Sequence, residues 1–196
     1  MPSFLGEYTN SARNKPDKFK RAVESIINQS YSNWELIIVS DGCDITVDLY
    51  KQFFSGNSQI KCFKIMKQVL FSGKVRDTGI KKATGKYIIY LDTDDFFGLN
   101  HLQIIKENIK EFDWCYYNVY FRGQDGKSEI ECKEITTGSC NTSNICHKRK
   151  LNITWLGADG YCHEKFIIAQ LLKFINFAKI KTPEYNVCHV PDLFES

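Results

Sequence analysis

Three aspartates stand close together in the middle of the chain. Residues 91–95 read Leu-Asp-Thr-Asp-Asp, so Asp92, Asp94 and Asp95 follow directly on the apolar run 87–91. Carboxylates this close repel one another, and they are costly to bury unless a cation or a set of donors neutralises them. A divalent metal with oxygen ligands, completed by substrate phosphates, would do so. Aspartates also serve as ordinary turn and capping residues, so the cluster alone leaves both interpretations open.

The elements that would position these carboxylates alternate between strand and helix over the first hundred residues. Apolar runs and helical periodicity predict strands at 3–8, 35–40, 61–68 and 87–91, and helices at 16–27, 44–54 and 73–84. This order indicates an α/β domain with a mainly parallel sheet and right-handed crossovers. In such sheets, ligands bind beyond the carboxyl ends of the strands. The polar clusters at 9–13, 41–44 and 92–95 should therefore share one rim.

The second half of the chain has a different pattern. It predicts a helix at 100–110, an aromatic strand at 114–121, a hairpin to 128–136, a polar loop at 137–150 and a helix at 162–177. We expect the helix at 44–54 to bury Ile45, Leu49 and Phe53, and the last helix to bury an apolar stripe that includes Phe166 and Ile175. The proline-marked tail predicts no further regular element.

Length and composition place the chain among single-domain globular proteins. It has 196 residues, 43% of them hydrophobic and 25% charged, and a net charge of +3. That charge is too small to indicate nucleic-acid binding, although it suits an anionic substrate. No run is long enough for a transmembrane helix, and the first residues do not read as a secretory signal. We therefore expect a cytoplasmic protein, with a peripheral membrane contact and the oligomeric state left open.

Eight cysteines are many for this length. None forms a Cys-x-x-Cys pair, so free, mostly buried thiols are favoured over disulfides. The dipeptides Cys146-His147, Cys162-His163 and Cys188-His189 could offer zinc ligands, but they lack the tight paired spacing of structural zinc sites.

Several segments, taken in order, resemble the family 2 glycosyltransferases, which are inverting enzymes of the GT-A, Rossmann-like nucleotide-diphospho-sugar transferase fold. The resemblance lies in residues 19–31, 34–44, 72–80, 83–87 and 91–95. It implies one GT-A domain over 1–196, with a nucleotide-sugar-binding half at 1–99 and an acceptor-binding half at 100–196. The implied partners are a nucleoside-diphosphate sugar, most often a UDP-sugar, and a glycan or lipid-linked acceptor.

The resemblance also assigns roles to single residues. The positions that match the family's donor-binding residues are Thr9, Arg13, Asp41, Lys74, Arg76, Asp92 and Thr93. Asp92 and Asp94 match the Asp-x-Asp motif that contacts the ribose and a bridging Mn²⁺ or Mg²⁺. The implied metal ligands are Asp94, Asp95 and His189.

A carboxylate general base must remove the proton of the acceptor hydroxyl. The resemblance places this base at Glu164, with Asp159 as the alternative, because the family's usual acid pair reads His163-Glu164 here. A glutamate in the first turn of a helix is also favoured by the helix dipole alone, without any catalytic role.

Three functions other than glycosyl transfer are considered for the same residues. A sugar-nucleotide pyrophosphorylase would need a Gly-x-Gly-x-Arg loop after the first strand, which residues 6–13 do not supply. An Asp-nucleophile phosphatase typically carries its Asp-x-Asp after the first strand. A relative that binds a nucleotide sugar without transferring it is the non-enzymatic alternative, and variants of Glu164 and Asp159 would separate it from an active enzyme.

Overall fold

The fold is built from short helices that cover short strands. The computed structural model describes residues 1–8, 13–69, 72–123, 126–133, 135, 140–157, 164–180 and 184–188. The helices of these ranges are α1 (Lys15–Ile27), α2 (Asp44–Phe53), α3 (Gly73–Lys82), α4 (His101–Asn108) and α5 (Glu164–Leu171). The strands are β1 (Pro2–Ser3), β2 (Leu36–Asp41), β3 (Ile60–Ile65), β4 (Tyr87–Ile89), β5 (Phe96–Phe97), β6 (Trp114–Tyr117), β7 (Val119–Gly123), β8 (Gly126–Ile130), β9 (Ile145–Lys148), β10 (Phe177–Ile180) and β11 (Tyr185–Val187). Two 3₁₀ turns cover Thr142–Asn144 and Arg149–Leu151.

The strands form three groups. The first is fully parallel, in the order β1-β2-β3, and pairs Pro2 with Val39 and Leu36 with Ile60. The second has the order β10-β6-β9-β4, in which β9 runs antiparallel to both neighbours. The third has the order β5-β11-β7-β8 and ends in the antiparallel β7–β8 pair. The predicted α/β class and the β7–β8 pairing are confirmed.

Helix α1 shows how the sequence pattern becomes packing. Phe19, Ala22, Val23 and Ile26 recur at three- and four-residue steps, and all four are buried in the main core. Pro16 lies in the first turn, where its missing N–H is not needed, and Asp17 suits the positive end of the helix. Truncating a fully buried phenylalanine such as Phe19 to alanine typically costs about 3–5 kcal/mol.

Helix α2 corrects one prediction about the core. Ile45 and Phe53, expected to face inward, are each 47% exposed, and Thr46 is the residue that α2 buries completely. The reason is a polar contact, since the Thr46 and Ser3 hydroxyls are hydrogen-bonded at 2.8 Å in the interior. Phe53 instead stacks under the Lys20 ammonium, 4.4 Å from the ring centroid.

The predicted aromatic strand 114–121 is wrong as one element. It divides at Asn118 into β6 and β7, which belong to different strand groups. The Asn118 side chain stabilises the break, because its amide nitrogen donates to Glu129 Oε1 (2.6 Å) and its oxygen accepts from the Cys132 N–H (3.1 Å). Asn118 is the one polar residue of the run 114–121, but only its partners at Glu129 and Cys132 reveal that the strand breaks there.

Three further expectations for the second half were wrong. The polar stretch 137–150 contains β9, which lies between β6 and β4. The proline-marked tail contributes β11. The last helix, α5, is shorter than predicted and leaves Phe166 39% exposed, while Ile175 lies beyond it and is 90% exposed.

Candidate functional site

The carboxyl end of β2 carries a buried carboxylate held by two donors. Asp41, the last residue of β2, is 7% exposed. Lys67 Nζ donates to its Oδ2 at 2.6 Å, and the Gln68 N–H donates to its Oδ1 at 2.7 Å. Lys67 was not predicted from the sequence, although it follows β3 at the same edge as Asp41 and could have been included on that ground. The carboxylate is thereby oriented at the rim of the sheet.

The turn after Asp41 requires glycine. Gly42 has φ +68°, and a Cβ placed there would lie 2.7 Å from the Cβ and 2.8 Å from the backbone nitrogen of Lys67. Glycine avoids both the unfavourable backbone region and the collision. This close approach allows the segment after β3 to reach Asp41.

An ion pair joins α3 to the aspartate cluster. The Arg76 guanidinium is 5% exposed and donates from Nη2 to Asp92 Oδ1 at 2.6 Å. Its other terminal nitrogen donates to the Ser72 hydroxyl. The Trp155 ring packs against the guanidinium, with 5.1 Å between the Arg76 carbon and the ring centroid. Asp92 is 35% exposed, so its carboxylate is paired and still reachable from solvent.

Asp95 faces the interior. Its side chain accepts from the Tyr185 hydroxyl at 2.8 Å and from the Cys188 N–H at 2.7 Å. Burial, with the charges of Asp94 and Asp92, raises the pKa of Asp95 well above its usual value, and the two hydrogen bonds offset only part of that rise. Tyr185 was not predicted, since it lies 90 residues away in the tail.

Asp94 is placed by its backbone. Arg21 on α1 donates from Nη2 to the Asp94 carbonyl oxygen at 2.5 Å. The Arg21 guanidinium also lies 4.9 Å from the centroid of the Phe96 ring. The turn 92–95 is therefore fastened by α1, α3 and β11, which leaves Asp94 half-buried at the surface of the turn.

Asp77 ties α3 to the segment that carries Trp155. The Thr154 hydroxyl donates to Asp77 Oδ1 at 2.6 Å, the Trp155 N–H donates to the same oxygen at 3.2 Å, and Lys81 forms an ion pair at 2.7 Å. Burial opposes ionisation, but these donors lower the pKa of Asp77 below its usual value. Behind Trp155, its indole N–H donates to the Tyr90 hydroxyl at 3.2 Å. The Trp155 ring, against which the Arg76 guanidinium packs, is therefore held by hydrogen bonds of both its backbone and its indole N–H.

The other predicted site residues have mixed placements. Arg13 and Lys74 are exposed, Thr93 is half-buried in the aspartate turn, and Glu164 is the first residue of α5. Thr9, Asp159 and His189 lie outside the described residues. The roles of all the predicted site residues stay predictions.

Two metal-related features can be stated for the described residues. Among them, no three His, Cys, Asp or Glu side chains come together as a group that could hold a metal ion. A metal bound at Asp92 and Asp94 would need substrate oxygens to complete its ligands. In the Cys146-His147 dipeptide, His147 Nε2 is hydrogen-bonded to the Tyr90 hydroxyl at 2.7 Å, and Cys146 lies opposite Cys115 in the β6–β9 pair.

Comparison with known proteins identifies the family. The model of the family described as "Glycosyl transferase family 2" matches residues 11–173. The chain belongs to this family, and the predicted resemblance is confirmed.

One relative and two solved structures illustrate the similarity. The Escherichia coli protein WfgD, a UDP-Glc:alpha-D-GlcNAc-diphosphoundecaprenol beta-1,3-glucosyltransferase, is 31% identical over 114 residues, which cover 56% of this chain and 41% of WfgD. Residues 1–349 of TarS from S. aureus, crystallised with UDP, align with TM-score 0.70 and 16% identity over 90% of this chain and 58% of the TarS 1–349 chain. The mannosyltransferase PcManGT of Pyrobaculum calidifontis, in complex with GDP-Man and Mn²⁺, aligns with TM-score 0.62 and 11% identity. The alignment covers 97% of this chain and 56% of the PcManGT chain.

These likenesses confirm the predicted GT-A fold. The chain spans less than two thirds of the length of each of these three proteins. None of the helices in the described ranges is both long enough and apolar enough to cross a membrane.

Proposed function

We propose that the chain carries the catalytic domain of an inverting, metal-dependent glycosyltransferase that uses a nucleoside-diphosphate sugar, with a UDP-sugar as the expected donor. The observation that carries the proposal is the Arg76–Asp92 ion pair at the head of the aspartate turn, in a chain of family 2. Solved neighbours in complex with UDP, UDP-GlcNAc or GDP-Man support the donor class. WfgD, by its name, acts on a diphosphoundecaprenol-linked sugar, which supports a glycan or lipid-linked acceptor.

Arg76 and the aspartate turn would bind the diphosphate end of the donor. Negative charge grows on the leaving phosphate during transfer, and a preorganised cation in a partly buried site stabilises it. The Trp155 ring and the Ser72 hydroxyl hold the Arg76 guanidinium in one orientation, so little reorganisation is needed when the donor binds. Asp41, fixed by Lys67 and Gln68, would accept a hydrogen bond from the nucleobase.

The aspartates fit a hard divalent cation such as Mn²⁺ or Mg²⁺, because carboxylate oxygens are the ligands these ions prefer. Neighbouring structures that contain Mn²⁺ support a metal. Asp94 would hold it, with Asp92 toward the ribose. Both hydrogen bonds of Asp95 point inward, so we propose that Asp95 acts by holding the turn. When bound, the ion would supply positive charge at the diphosphate.

Transfer would proceed by direct displacement. An acceptor hydroxyl attacks C1 of the sugar while the bond from C1 to the β-phosphate oxygen breaks, and the nucleoside diphosphate leaves with that electron pair. A carboxylate takes the hydroxyl proton, and the configuration at C1 inverts. Glu164 is the proposed base and Asp159 the alternative.

Thermal unfolding with nucleotides tests the donor site. UDP, GDP, TDP and CDP are compared, each with Mn²⁺ or with a chelator. A ligand at a hundred times its Kd adds about 2.7 kcal/mol to the free energy of unfolding. We expect one diphosphate to raise Tm with Mn²⁺ only, and Asp94→Asn to abolish the rise. Asp48→Asn, which removes an exposed aspartate on α2, is the matched control.

A transfer assay then separates an enzyme from a binding protein. Release of UDP from a UDP-sugar in the presence of an acceptor should fall at least about a hundredfold in Glu164→Gln, in keeping with the usual contribution of a general base. If nucleotides bind but neither Glu164→Gln nor Asp159→Asn changes turnover, the assignment of the base is wrong. If no diphosphate raises Tm, the donor site itself is refuted.

A further inference from the structure

A fully buried histidine lies at the far end of a chain of hydrogen bonds that begins beside Arg76. His147 is on β9, in register with Ile88 of β4 and Trp114 of β6, so these three side chains share one face of the sheet. Tyr90 lies two residues after Ile88 and belongs to the same core, where its hydroxyl is 2.7 Å from His147 Nε2. A polar ring is costly to bury without partners, so each of its nitrogens should be hydrogen-bonded.

The chemistry of the groups fixes the direction of each hydrogen bond. The Trp155 indole nitrogen can only donate, so the Tyr90 hydroxyl accepts from it at 3.2 Å and donates its own proton to His147 Nε2. His147 Nδ1 lies 3.1 Å from the Lys148 carbonyl oxygen, which can only accept, so Nδ1 carries the proton. Every polar hydrogen of the three side chains is then bonded. His147 is thus a neutral ring with its proton on Nδ1.

Burial favours these protonation states. His147 is 0% exposed, and burial lowers the pKa of its ring to about 4, so the ring is neutral near pH 7. Burial also raises the pKa of the Tyr90 hydroxyl above its usual value, so this group keeps its proton. The Nε2 lone pair accepts from Tyr90 and Nδ1 carries a proton. In this arrangement, neither ring nitrogen of the Cys146-His147 dipeptide is available to zinc.

Trp155 connects the buried chain to the site. Its backbone N–H donates to Asp77 at 3.2 Å, which fixes the backbone but not the rotation of the indole. The indole N–H bond to Tyr90 opposes that rotation. The Arg76 guanidinium lies 5.1 Å from the ring centroid, within the range of a cation–π contact, and forms the ion pair with Asp92. A displaced indole would therefore leave the guanidinium without its aromatic support.

We propose that His147 is a positioning residue for the donor site. In its Nδ1–H tautomer it anchors the Tyr90 hydroxyl, and that hydroxyl fixes the Trp155 ring against Arg76. A fully satisfied buried network of this kind is rigid, whereas an apolar residue in place of His147 would offer the hydroxyl no acceptor. This role rests on the proposed function, because Arg76 is expected to bind the donor diphosphate. His147 would affect donor affinity only through the residues that lie between it and Arg76.

Two measurements on the protein without nucleotide test the chain of bonds. Long-range proton–nitrogen correlation spectra distinguish protonated from unprotonated ring nitrogens, and His147→Gln identifies the signals of this ring among the four histidines. We expect a proton on Nδ1 and none on Nε2 at pH 7. The Trp155 indole hydrogen should exchange with deuterium several-fold faster in Tyr90→Phe, because it has lost its acceptor. Tyr117→Phe is the matched control, since Tyr117 is equally buried and its hydroxyl donates to the Ile145 carbonyl oxygen at 3.5 Å.

Calorimetry with UDP and Mn²⁺ tests the effect on the donor site. Tyr90→Phe and His147→Leu should each weaken UDP binding about three- to thirtyfold, the range expected for one displaced cation–π contact. His147→Gln should restore most of the affinity, because its side-chain oxygen can accept from the Tyr90 hydroxyl. Tyr117→Phe should leave the affinity unchanged.

A double-mutant cycle separates positioning from general destabilisation. If the chain acts through Arg76, Tyr90→Phe should not weaken UDP binding further in a protein that already carries Arg76→Ala. A merely structural role would change the affinity by the same factor in both backgrounds, or in neither.

Several results would overturn the proposal. These are a proton on His147 Nε2, indole exchange that Tyr90→Phe leaves unchanged, and equal UDP affinity of the wild type and Tyr90→Phe. Tyr90→Phe removes a single oxygen, so it remains informative if His147→Leu fails to fold. A wild-type protein that binds no UDP would refute the expected donor together with this role, whereas binding that is insensitive to Tyr90→Phe would refute the positioning role alone.

Discussion

Replacing Tyr185 by phenylalanine removes one oxygen from the support of the aspartate turn. The buried hydroxyl donates to Asp95 Oδ2 at 2.8 Å and accepts from the Asp92 N–H at 3.3 Å. Burial, together with the charges of Asp95 and Asp92, raises the pKa of Tyr185 well above its usual value, so the tyrosine stays protonated and keeps its donor role. The variant loses both hydrogen bonds without changing the shape of the ring.

The expected loss of stability follows from the kind of hydrogen bond that the substitution removes. A hydrogen bond to a charged group contributes about 1.5–3 kcal/mol, and a buried acceptor left without its donor carries the full desolvation penalty. We expect Tyr185→Phe to lower the free energy of unfolding by about 2–3 kcal/mol at a pH where the Asp95 carboxylate is ionised. For a domain of this size, each kcal/mol shifts Tm by about 2–4 °C, so Tm should fall by roughly 5–10 °C.

The loss of stability in Tyr185→Phe should grow as pH rises. The folded-state pKa of Asp95 is raised, mainly by burial, so its contribution to stability is greatest at low pH and declines as pH rises through that pKa. The Tyr185 hydrogen bond lowers this pKa, and its removal extends the decline to higher pH. The difference in stability between the two proteins should therefore widen as pH rises.

Urea unfolding followed by tryptophan fluorescence at pH 5, 6, 7 and 8 measures this difference. Tyr50→Phe is the matched control, because the Tyr50 hydroxyl donates to a neutral acceptor, the Ile60 carbonyl oxygen at 3.3 Å. We expect Tyr50→Phe to cost about 1 kcal/mol or less at every pH. If the two variants lose the same stability at all four pH values, the assigned support of Asp95 is incorrect.

Other predictions concern the rest of the site. Arg76→Ala should weaken nucleoside-diphosphate binding by about tenfold to a hundredfold, because Asp92 loses its charged partner; calorimetry would measure it, and unchanged affinity would argue against a donor role. Gly42→Ala should cost about 1–3 kcal/mol, because of its positive φ and the contact with Lys67; an unchanged urea midpoint would contradict the required glycine. Asp77→Asn should cost more at pH 7 than at pH 3, because the lowered folded-state pKa gives stability that is lost as pH falls through it; a pH-independent loss would show that its charge does not matter.

The sequence was most informative where local patterns and packing agree. The periodic apolar residues of α1 and the continuous apolar run of β2 are local signals, and both elements lie within a residue or two of the predicted positions. The position of Asp41 at the carboxyl end of β2 also follows from the pattern alone. Helix α1 and strand β2 could therefore be predicted without a structure, whereas β1, predicted at 3–8, covers only Pro2–Ser3.

The second half was poorly predicted, because its elements are determined by distant partners. Strand β9 is short and lies in a polar stretch of sequence, yet it is buried between its neighbours β6 and β4. The first half has one such case, since α2 buries Thr46 instead of Ile45 and the Thr46 hydroxyl is hydrogen-bonded to that of Ser3 on β1. Tyr185, Trp155 and Arg21 support the site through contacts more than 60 residues away in sequence, which no local motif can show.

The bond between Tyr185 and Asp95 has a consequence for synthesis of the chain. Its two residues are 90 positions apart, and a ribosome that adds 5–20 residues per second needs about 5–20 s to make the intervening segment. During that interval, the nascent chain carries the aspartate turn 92–95 without the tyrosine that bonds to Asp95 and to the Asp92 N–H. The aspartate turn is thus encoded early and completed late, so nucleotide binding at the proposed donor site should require a chain translated beyond Tyr185.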